Sequence, residues 1–286
     1  MKILVFGKNG QVATELQRQA NVMALGREDT DLADPEACAR VIAETDANIV
    51  INAAAYTDVD GAEEQTELAE IINGAAPAAM AEAAQKRGIP FLHISTDYVF
   101  DGSGDKPWTP VEATNPIGSY GRSKQLGEAG VMAAGGEYAI LRTSWVFSAH
   151  GNNFVKTMLR LGREREALQI VEDQIGGPTS ASDIAATLLN MATAFHAGTA
   201  VSGTYHYSGA PDVSWMEFAA EIFLQAEVDV SVSGIPTSAY PTAAARPLNS
   251  RLDCTSLQQV FGLERPDWRL GLKQVLKELG EGRRPH

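Results

Sequence analysis

Five short apolar runs, rich in β-branched residues and lacking the polar alternation of a half-exposed strand, set the tightest limit on how this chain can fold. They are Lys2–Phe6, Val22–Leu25, Ile49–Asn52, Phe91–Ser95 and Tyr138–Thr143. Strands that are apolar on both sides need cover on both sides, which a parallel sheet between two helix layers provides. Helix-length stretches separate the runs, at Gly10–Gln19, Pro35–Thr45, Ile71–Arg87 and Tyr120–Ala133. The alternation predicts an α/β fold with a Rossmann-like, doubly wound parallel sheet. After Thr143 it loosens. Helices are expected over Asn153–Arg163 and Ser182–His196, strands near Gln169–Val171 and Thr204–Ser208, and mainly irregular structure in the Pro-, Ser-, Thr- and Ala-rich stretch from Ser231 to Arg251. Long irregular stretches in a compact chain tend to bind rather than brace, so substrate specificity is expected there.

Charge and composition exclude several functions. A net charge of −13 opposes binding to a nucleic-acid backbone, which takes clustered cations. No apolar run approaches the ~18 residues of a membrane span, and the N-terminal strand runs directly into Gly7, so a cytoplasmic protein with no membrane partner is expected. Cys38 and Cys254 have no metal or redox spacing and read as unpaired thiols. His93, His150, His196 and His206 are scattered, and His286 is terminal; packing or surface roles are expected for them rather than metal ligation.

The first run ends in Gly7-Lys8-Asn9-Gly10-Gln11-Val12-Ala13. Gly7 permits a tight turn, Gly10 lets a diphosphate approach the backbone, and small Ala13 lets the helix pack on the strand, with the helix N-terminus facing the negative charge. A glycine turn can be merely structural, but at the first βα turn it points to a dinucleotide. This predicts a dinucleotide-binding domain over 1–150, with 176–202 returning to it, and a smaller, mixed substrate-binding domain over most of 151–286. The second run ends in Leu25-Gly26-Arg27, with glycine where an NAD-selective site carries an acid and a cation beside it. NADPH is therefore expected to be preferred over NADH, unless Arg27 pairs with a surface carboxylate. Ala53, Ala54, Ala55, Tyr56 and Thr57 follow the third run, small enough at first to leave room for a ring or a ribose.

The fourth run delivers Ser95-Thr96-Asp97-Tyr98 to the same edge, and Tyr120 and Lys124 stand one helical turn apart further on. Such a pair alone is a common surface pattern; with the glycine turn and Thr96 it becomes a constellation. Hydride addition to a ketone builds negative charge on oxygen, and Tyr120 is placed to donate a proton there. An ammonium nearby would lower the phenol's pKa, a role assigned to Lys124. For the phosphates and base of a nucleotide the C-terminal segment offers Arg246, Arg251, Tyr240 and Trp215. Arg246 is the preferred diphosphate ligand, an interdomain ion pair being its alternative.

At these residues the chain resembles the extended short-chain dehydrogenase/reductase family, and most closely the branch that reduces dTDP-4-dehydrorhamnose. The resemblance runs through Phe6–Val12, Asn52–Ala55, Ser95–Phe100, Tyr120–Lys124 and Arg142–Phe147. It continues in Gly151–Phe154, Asp173-Gln174, Gly177–Thr179 and Arg246–Leu252. It implies reduction of the C4 ketone of dTDP-4-dehydro-L-rhamnose by NAD(P)H, with Tyr120 as general acid, Lys124 on the nicotinamide ribose and Thr96 and Asp97 near the ketone. It also implies Trp145 and Asn153 at the sugar nucleotide, and Gly10, Gln11, Val12, Asp31, Leu32, Ala55, Tyr56 and Thr57 along the cofactor. Some relatives hold magnesium through glutamates at a homodimer contact; Glu15 matches one, but Ser182 stands in place of another, so no metal is expected. Another nucleotide-sugar reductase or epimerase, a non-catalytic regulatory subunit of the same fold, or a redox-sensing dinucleotide-binding protein would share many of these motifs.

Overall fold

The structure, a computed structural model, describes residues 1–281, so His286 lies outside the described residues. The first half of the chain forms β1 (Ile3–Phe6), α1 (Gln11–Gln19), β2 (Met23–Leu25), α2 (Pro35–Glu44) and β3 (Ile49–Asn52). After them come short helices α3 (Gly61–Glu64) and α4 (Thr66–Glu70), a π-helical turn (Ile71–Ala75), α5 (Ala76–Arg87), β4 (Phe91–Thr96), α6 (Ser119–Ala134) and β5 (Tyr138–Thr143). The second half forms β6 (Val146–Phe147), α7 (Phe154–Glu164), β7 (Ala167–Val171), β8 (Ile175–Gly176), β9 (Thr179–Ser180), α8 (Ala181–His196) and β10 (Gly203–His206). It ends with β11 (Val213–Ser214), α9 (Trp215–Ala226), β12 (Ser231–Ile235), β13 (Asn249–Ser250), α10 (Thr255–Phe261) and α11 (Trp268–Glu278).

The central sheet has six parallel strands in the order β2-β1-β3-β4-β5-β10. β1 shows why an apolar run demands two helix layers. Ile3 and Val5 pack with α1 and α8 on one face, and Leu4 and Phe6 pack with α2 and α5 on the other. Strands are added on one side of β1 with β2 and on the other from β3 onward, and ligands of open α/β sheets bind beyond the strand ends at such a switch point. A second core, built from Phe147, Phe218, Trp268 and Leu272 among others, sits under the smaller sheets of the C-terminal half.

Within the mainly irregular stretch from Ser231 to Arg251, β12 pairs in parallel with β7 and β13 with β8. The alternation Ser231-Val232-Ser233 carried that strand signal beneath a composition that looked loop-like. The expected helix from Ile71 does not start as an α-helix but as the π turn. Pro77 cannot donate to the carbonyl of Asn73, so the backbone there takes a wider register.

Behind the sheet lies a buried polar cluster. Arg142 makes two hydrogen bonds to Glu128, at 2.8 and 2.7 Å, and stacks over Phe100. His206 faces the Trp108 carbonyl through Nδ1 at 2.9 Å and Arg142 through Nε2 at 3.3 Å. A carbonyl only accepts and a guanidinium only donates, so the imidazole is neutral with its proton on Nδ1. Burial first, and the Arg142 charge second, lower its pKa to about 3.

An unfolded chain protonates this histidine near pH 6.5, whereas the folded one resists until about pH 3. The stabilisation is therefore complete above 6.5 and is lost as pH falls from 6.5 towards 3, at up to about 1.4 kcal/mol per pH unit for one proton. His206→Asn cannot take up that proton. Urea denaturation between pH 7 and 4.5 is expected to show a shallower loss of stability in the variant than in the native chain, and equal slopes would rule out a neutral His206.

Candidate active site

Gly7 has φ +102°, and a Cβ there would lie 2.8 Å from the Ala54 nitrogen, so the β1–α1 turn presses directly on the end of β3. Gly10 caps α1 without a side-chain hydrogen bond, which leaves first-turn N–H groups free to meet an anion. This turn opens onto a cavity of about 1060 Å³ that runs along the carboxyl ends of the central strands. Its walls include Gly7, Gly10, Gln11, Val12, Arg27, Asp31, Leu32, Ala53, Ala54, Ala55, Tyr56, Thr57, Thr96, Asp97, Tyr120, Lys124, Trp145 and Asn153. The fold thus gathers the candidate residues into one cleft with three exceptions, Arg246, Arg251 and Tyr240; Trp215 is also on its wall.

Arg246 lies outside that lining, with a guanidinium nitrogen 2.7 Å from Asp60. The ion pair considered for it in the sequence is the contact it makes. Arg27 likewise pairs with Asp31 at 3.0 Å, but on the cavity wall with its side chain largely exposed. Asp31 also accepts from the Ala33 amide at 2.9 Å, which with Arg27 holds its carboxyl below the usual range. Gln11 receives bonds from Ser148 and Asn153, tying the start of α1 to the start of α7.

Helix α6 carries Tyr120 and Lys124, and its N-terminus is capped from a distance: Glu63 accepts from the Ser119 amide at 2.7 Å and from its hydroxyl at 2.9 Å. Glycines bring the helix close to the sheet end. A Cβ on Gly121 would lie 2.2 Å from the Tyr98 carbonyl oxygen, and one on Gly127 2.1 Å from that of Asn73. From the π turn, Asn73 accepts from the Tyr56 amide and donates to the Tyr56 carbonyl and the Ser123 hydroxyl, while Ser123 donates to the Tyr120 carbonyl. Asn73 therefore clips the loop after β3 to the helix.

Tyr120 lies edge-on to Tyr98, with ring centroids 5.6 Å apart, and hydrogen-bonds Thr96. Burial pushes its phenol up to about 12; the Thr96 hydrogen bond pulls the other way, and the nearby Asp97 carboxylate adds to the rise. The acidification expected from Lys124 does not act here. Lys124 Nζ is directed instead to His93 Nε2 at 3.1 Å and to the Ile94 carbonyl at 2.7 Å, and burial lowers its pKa to about 8. Asp97, fully enclosed at the end of β4, is raised to about 6 by burial despite bonds from Ser250 and Thr96.

Trp145 stands at φ +49°, rare for a residue with a bulky side chain, and stacks on Trp215 with centroids 3.6 Å apart. Ser144 donating to the Gly177 carbonyl and Thr179 donating to the Trp145 carbonyl hold that backbone in place. Away from the cleft, Glu15, His150 and Glu278 converge, and Arg18 bonds both carboxylates, at 3.0 and 2.7 Å. The sequence singled out Glu15 there, gave His150 and His93 only packing or surface roles, and left Glu278, Asn73 and Ser123 without a role; a histidine inside an otherwise apolar strand was the available signal for His93.

With this geometry in hand, the RmlD substrate binding domain family matches residues 1–281. A Burkholderia thailandensis protein named dTDP-4-dehydrorhamnose reductase is 44% identical, over 98% of this chain and 99% of its own length. The crystal structure of a dTDP-4-dehydrorhamnose reductase from Clostridium acetobutylicum superimposes with a TM-score of 0.91 at 38% identity, covering 98% of this chain and 100% of that one. One from Bacillus anthracis, in complex with NADP, gives a TM-score of 0.91 at 36% identity, covering 97% and 99%.

The close approach of α6 makes Gly121 a sensitive position. Gly121→Ala has to push the helix off the Tyr98 carbonyl and is expected to cost ~1–3 kcal/mol, as overpacking does. Denaturant unfolding of the variant beside the native chain measures this, and an unchanged midpoint would show that the contact is not tight.

Proposed function

Because the chain belongs to the RmlD substrate-binding family, we propose that it reduces the C4 ketone of dTDP-4-dehydro-L-rhamnose to dTDP-L-rhamnose with NAD(P)H. The observation that carries this is the meeting of Thr96, Tyr120 and the glycine turn around one cavity of about 1060 Å³. The residues present fit the cofactor: a side chain at position 7 would collide with Ala54, and the α1 N-terminus has no side-chain cap of its own. Gly7, Gly10, Gln11 and Val12 would hold the diphosphate, Asp31 and Leu32 the adenosine end, and Ala53 to Thr57 with Lys124 the nicotinamide half. When bound, the reduced cofactor supplies the hydride.

Tyr120 is the proton donor in this reading. A phenol raised to about 12 stays protonated at neutral pH and yields its proton only to a stronger base, which is what a ketone oxygen becomes as negative charge develops on it. Thr96 holds the phenol and the carbonyl oxygen in one place, and Asp97 bounds the sugar. Trp145 and Trp215 offer flat surfaces to the sugar nucleotide, with Asn153 at the same wall. Arg246 reaches a diphosphate only by exchanging Asp60 for it.

Arg27 and Lys8 are the cations near the end of β2, each beside acidic neighbours, Asp31 for the first and Glu28 and Asp29 for the second. A 2′-phosphate would compete for Arg27, so NADPH is the preferred reductant.

Mixing purified protein, NADPH and dTDP-4-dehydro-L-rhamnose is expected to consume the reduced cofactor; no consumption would reject the reading. Tyr120→Phe is expected to lower turnover by ~10²–10⁴ while NADPH still binds, as loss of a general acid does, and retained turnover would remove Tyr120 as donor. Arg27→Ala should weaken NADPH by about tenfold, in line with the loss of one charge-assisted contact, and leave NADH nearly unchanged. Equal effects on both cofactors would dissociate Arg27 from the 2′-phosphate.

A further inference from the structure

Trp145 and Trp215 meet on the cavity wall nearly face to face, 12° from parallel with ring centroids 3.6 Å apart. Two aromatic rings left to themselves avoid that arrangement because their negative faces repel; they slide apart or turn edge to face, with centroids at ~4.5–7 Å. The stack is therefore imposed by what holds each ring. For Trp145 the holder is its backbone, fastened at φ +49° through Ser144 and Thr179. Gly176 packs bare against the same indole, where a Cβ would lie 2.9 Å from Trp145 Cε2.

Trp215 has a different restraint. It is the first residue of α9, and the capping box of Ser214 and Glu217 fixes its backbone but leaves its side-chain torsions free. In the antiparallel pair of β8 with β11, Ile175 stands opposite Ser214, so the next step outward sets Gln174 opposite Trp215. The bonds that follow run in a single direction. An indole nitrogen only donates, so the Gln174 atom 3.1 Å from Trp215 Nε1 is the amide oxygen. The amide nitrogen then donates to the Thr237 hydroxyl at 3.1 Å. That hydroxyl donates in turn to the Asp173 carboxylate, which also accepts from the Thr237 amide at 2.9 Å. Parallel pairing of β7 with β12 sets Val171 beside Ile235, which brings Asp173 and Thr237 level two residues further on. Gln174, 7% exposed, is thus oriented from both ends.

We propose that Gln174 is a positioning residue for the sugar nucleotide: through the indole N–H it holds Trp215 flat on Trp145, so that the two rings present one rigid platform to the substrate.

This role rests on the proposed reduction, in which the two indoles face the sugar nucleotide. Centroids 3.6 Å apart leave no space for a third ring between them, so the substrate meets the outside of the pair and its position follows from where the pair stands. Without the Gln174 oxygen nothing opposes the repulsion of the two faces. Trp215 then turns from Trp145 towards edge-on packing, for which Phe154 is already placed at 4.5 Å and 50°. Thr237 braces the amide from behind, which connects the platform to the stretch from Ser231 to Arg251.

The test uses NMR of the nitrogen-labelled, ligand-free protein, in which the four tryptophans each give an indole N–H signal and that of Trp215 is identified by its loss in Trp215→Phe. In the native chain this proton is expected to exchange slowly with water, and the Trp215 ring protons to be shifted upfield by Trp145. Gln174→Leu keeps a similar volume without the amide; exchange is expected to become about tenfold faster, and the upfield shift to shrink. In turnover assays the same variant is expected to raise KM for dTDP-4-dehydro-L-rhamnose about tenfold, with kcat and the KM for NADPH nearly unchanged. Because Gln174 acts through Trp215, it should raise KM no further when residue 215 is already Phe. Should Gln174→Leu not fold, Thr237→Val removes the brace behind the amide and is expected to move exchange, ring shift and KM in the same directions. Exchange and ring shift need no substrate, so a chain that does not reduce this sugar still lets them decide the positioning role. Unchanged exchange and shift in the folded variant, a KM for NADPH that rises as far as that for the sugar nucleotide, or the same KM rise in the Trp215→Phe background would each overturn it.

Discussion

The site depends on how closely α6 is pressed onto the end of the central sheet. With glycine at 121 and 127 the helix backbone comes within contact of the Tyr98 and Asn73 carbonyls, and no other residue type fits at that separation. Tyr120 and Lys124 project from a helix held in this way, so their distance from Thr96 and Ile94 follows from backbone packing rather than from flexible side-chain choice. The π turn belongs to the same arrangement. By widening the backbone around Asn73 it frees a side-chain amide to join the loop after β3 to Ser123, and so to Tyr120. The loop after β3 and helix α6 are thus tied together by one residue.

Polar groups buried behind this surface are oriented rather than merely tolerated. Arg142, Glu128 and His206 form a closed set in which each donor has an acceptor, and removing one member would strand a charge in the core. The row from Ala54 through Asn52 and His93 to Lys124 obeys the same logic, and α6, which carries Glu128 and Lys124 one turn apart, belongs to both networks.

Much of the fold was legible because the apolar runs are unambiguous: β3 and β5 fall where the sequence places them, and β1, β2 and β4 differ by a residue at an end. Local motifs located the cleft for a similar reason. The glycine turn, the alanines after β3, Thr96 and the Tyr120–Lys124 pair each lie at a strand end or on one helix face, and parallel topology brings all such ends to one edge. What could not be read was adjacency across the sheet. Lys124 and His93 are 31 positions apart, and nothing local says that the lysine turns into the core instead of lying beside the phenol. Arg246 was ambiguous for the opposite reason, since its partner Asp60 lies 186 positions away. Helix α9 was passed over although Ser214 and Glu217 form a capping box that its sequence spells out.

In the proposed reduction this packing sets one phenol against one ketone oxygen. A crystal structure with NADP and dTDP-L-rhamnose bound tests it most directly, because the product hydroxyl at C4 marks where that oxygen was. Tyr120 Oη is expected within ~2.6–3.2 Å of the C4 oxygen, with Thr96 Oγ1 beside it and the nicotinamide C4 facing the sugar carbon. A C4 oxygen beyond hydrogen-bond reach of Tyr120, with another donor in its place, would contradict it.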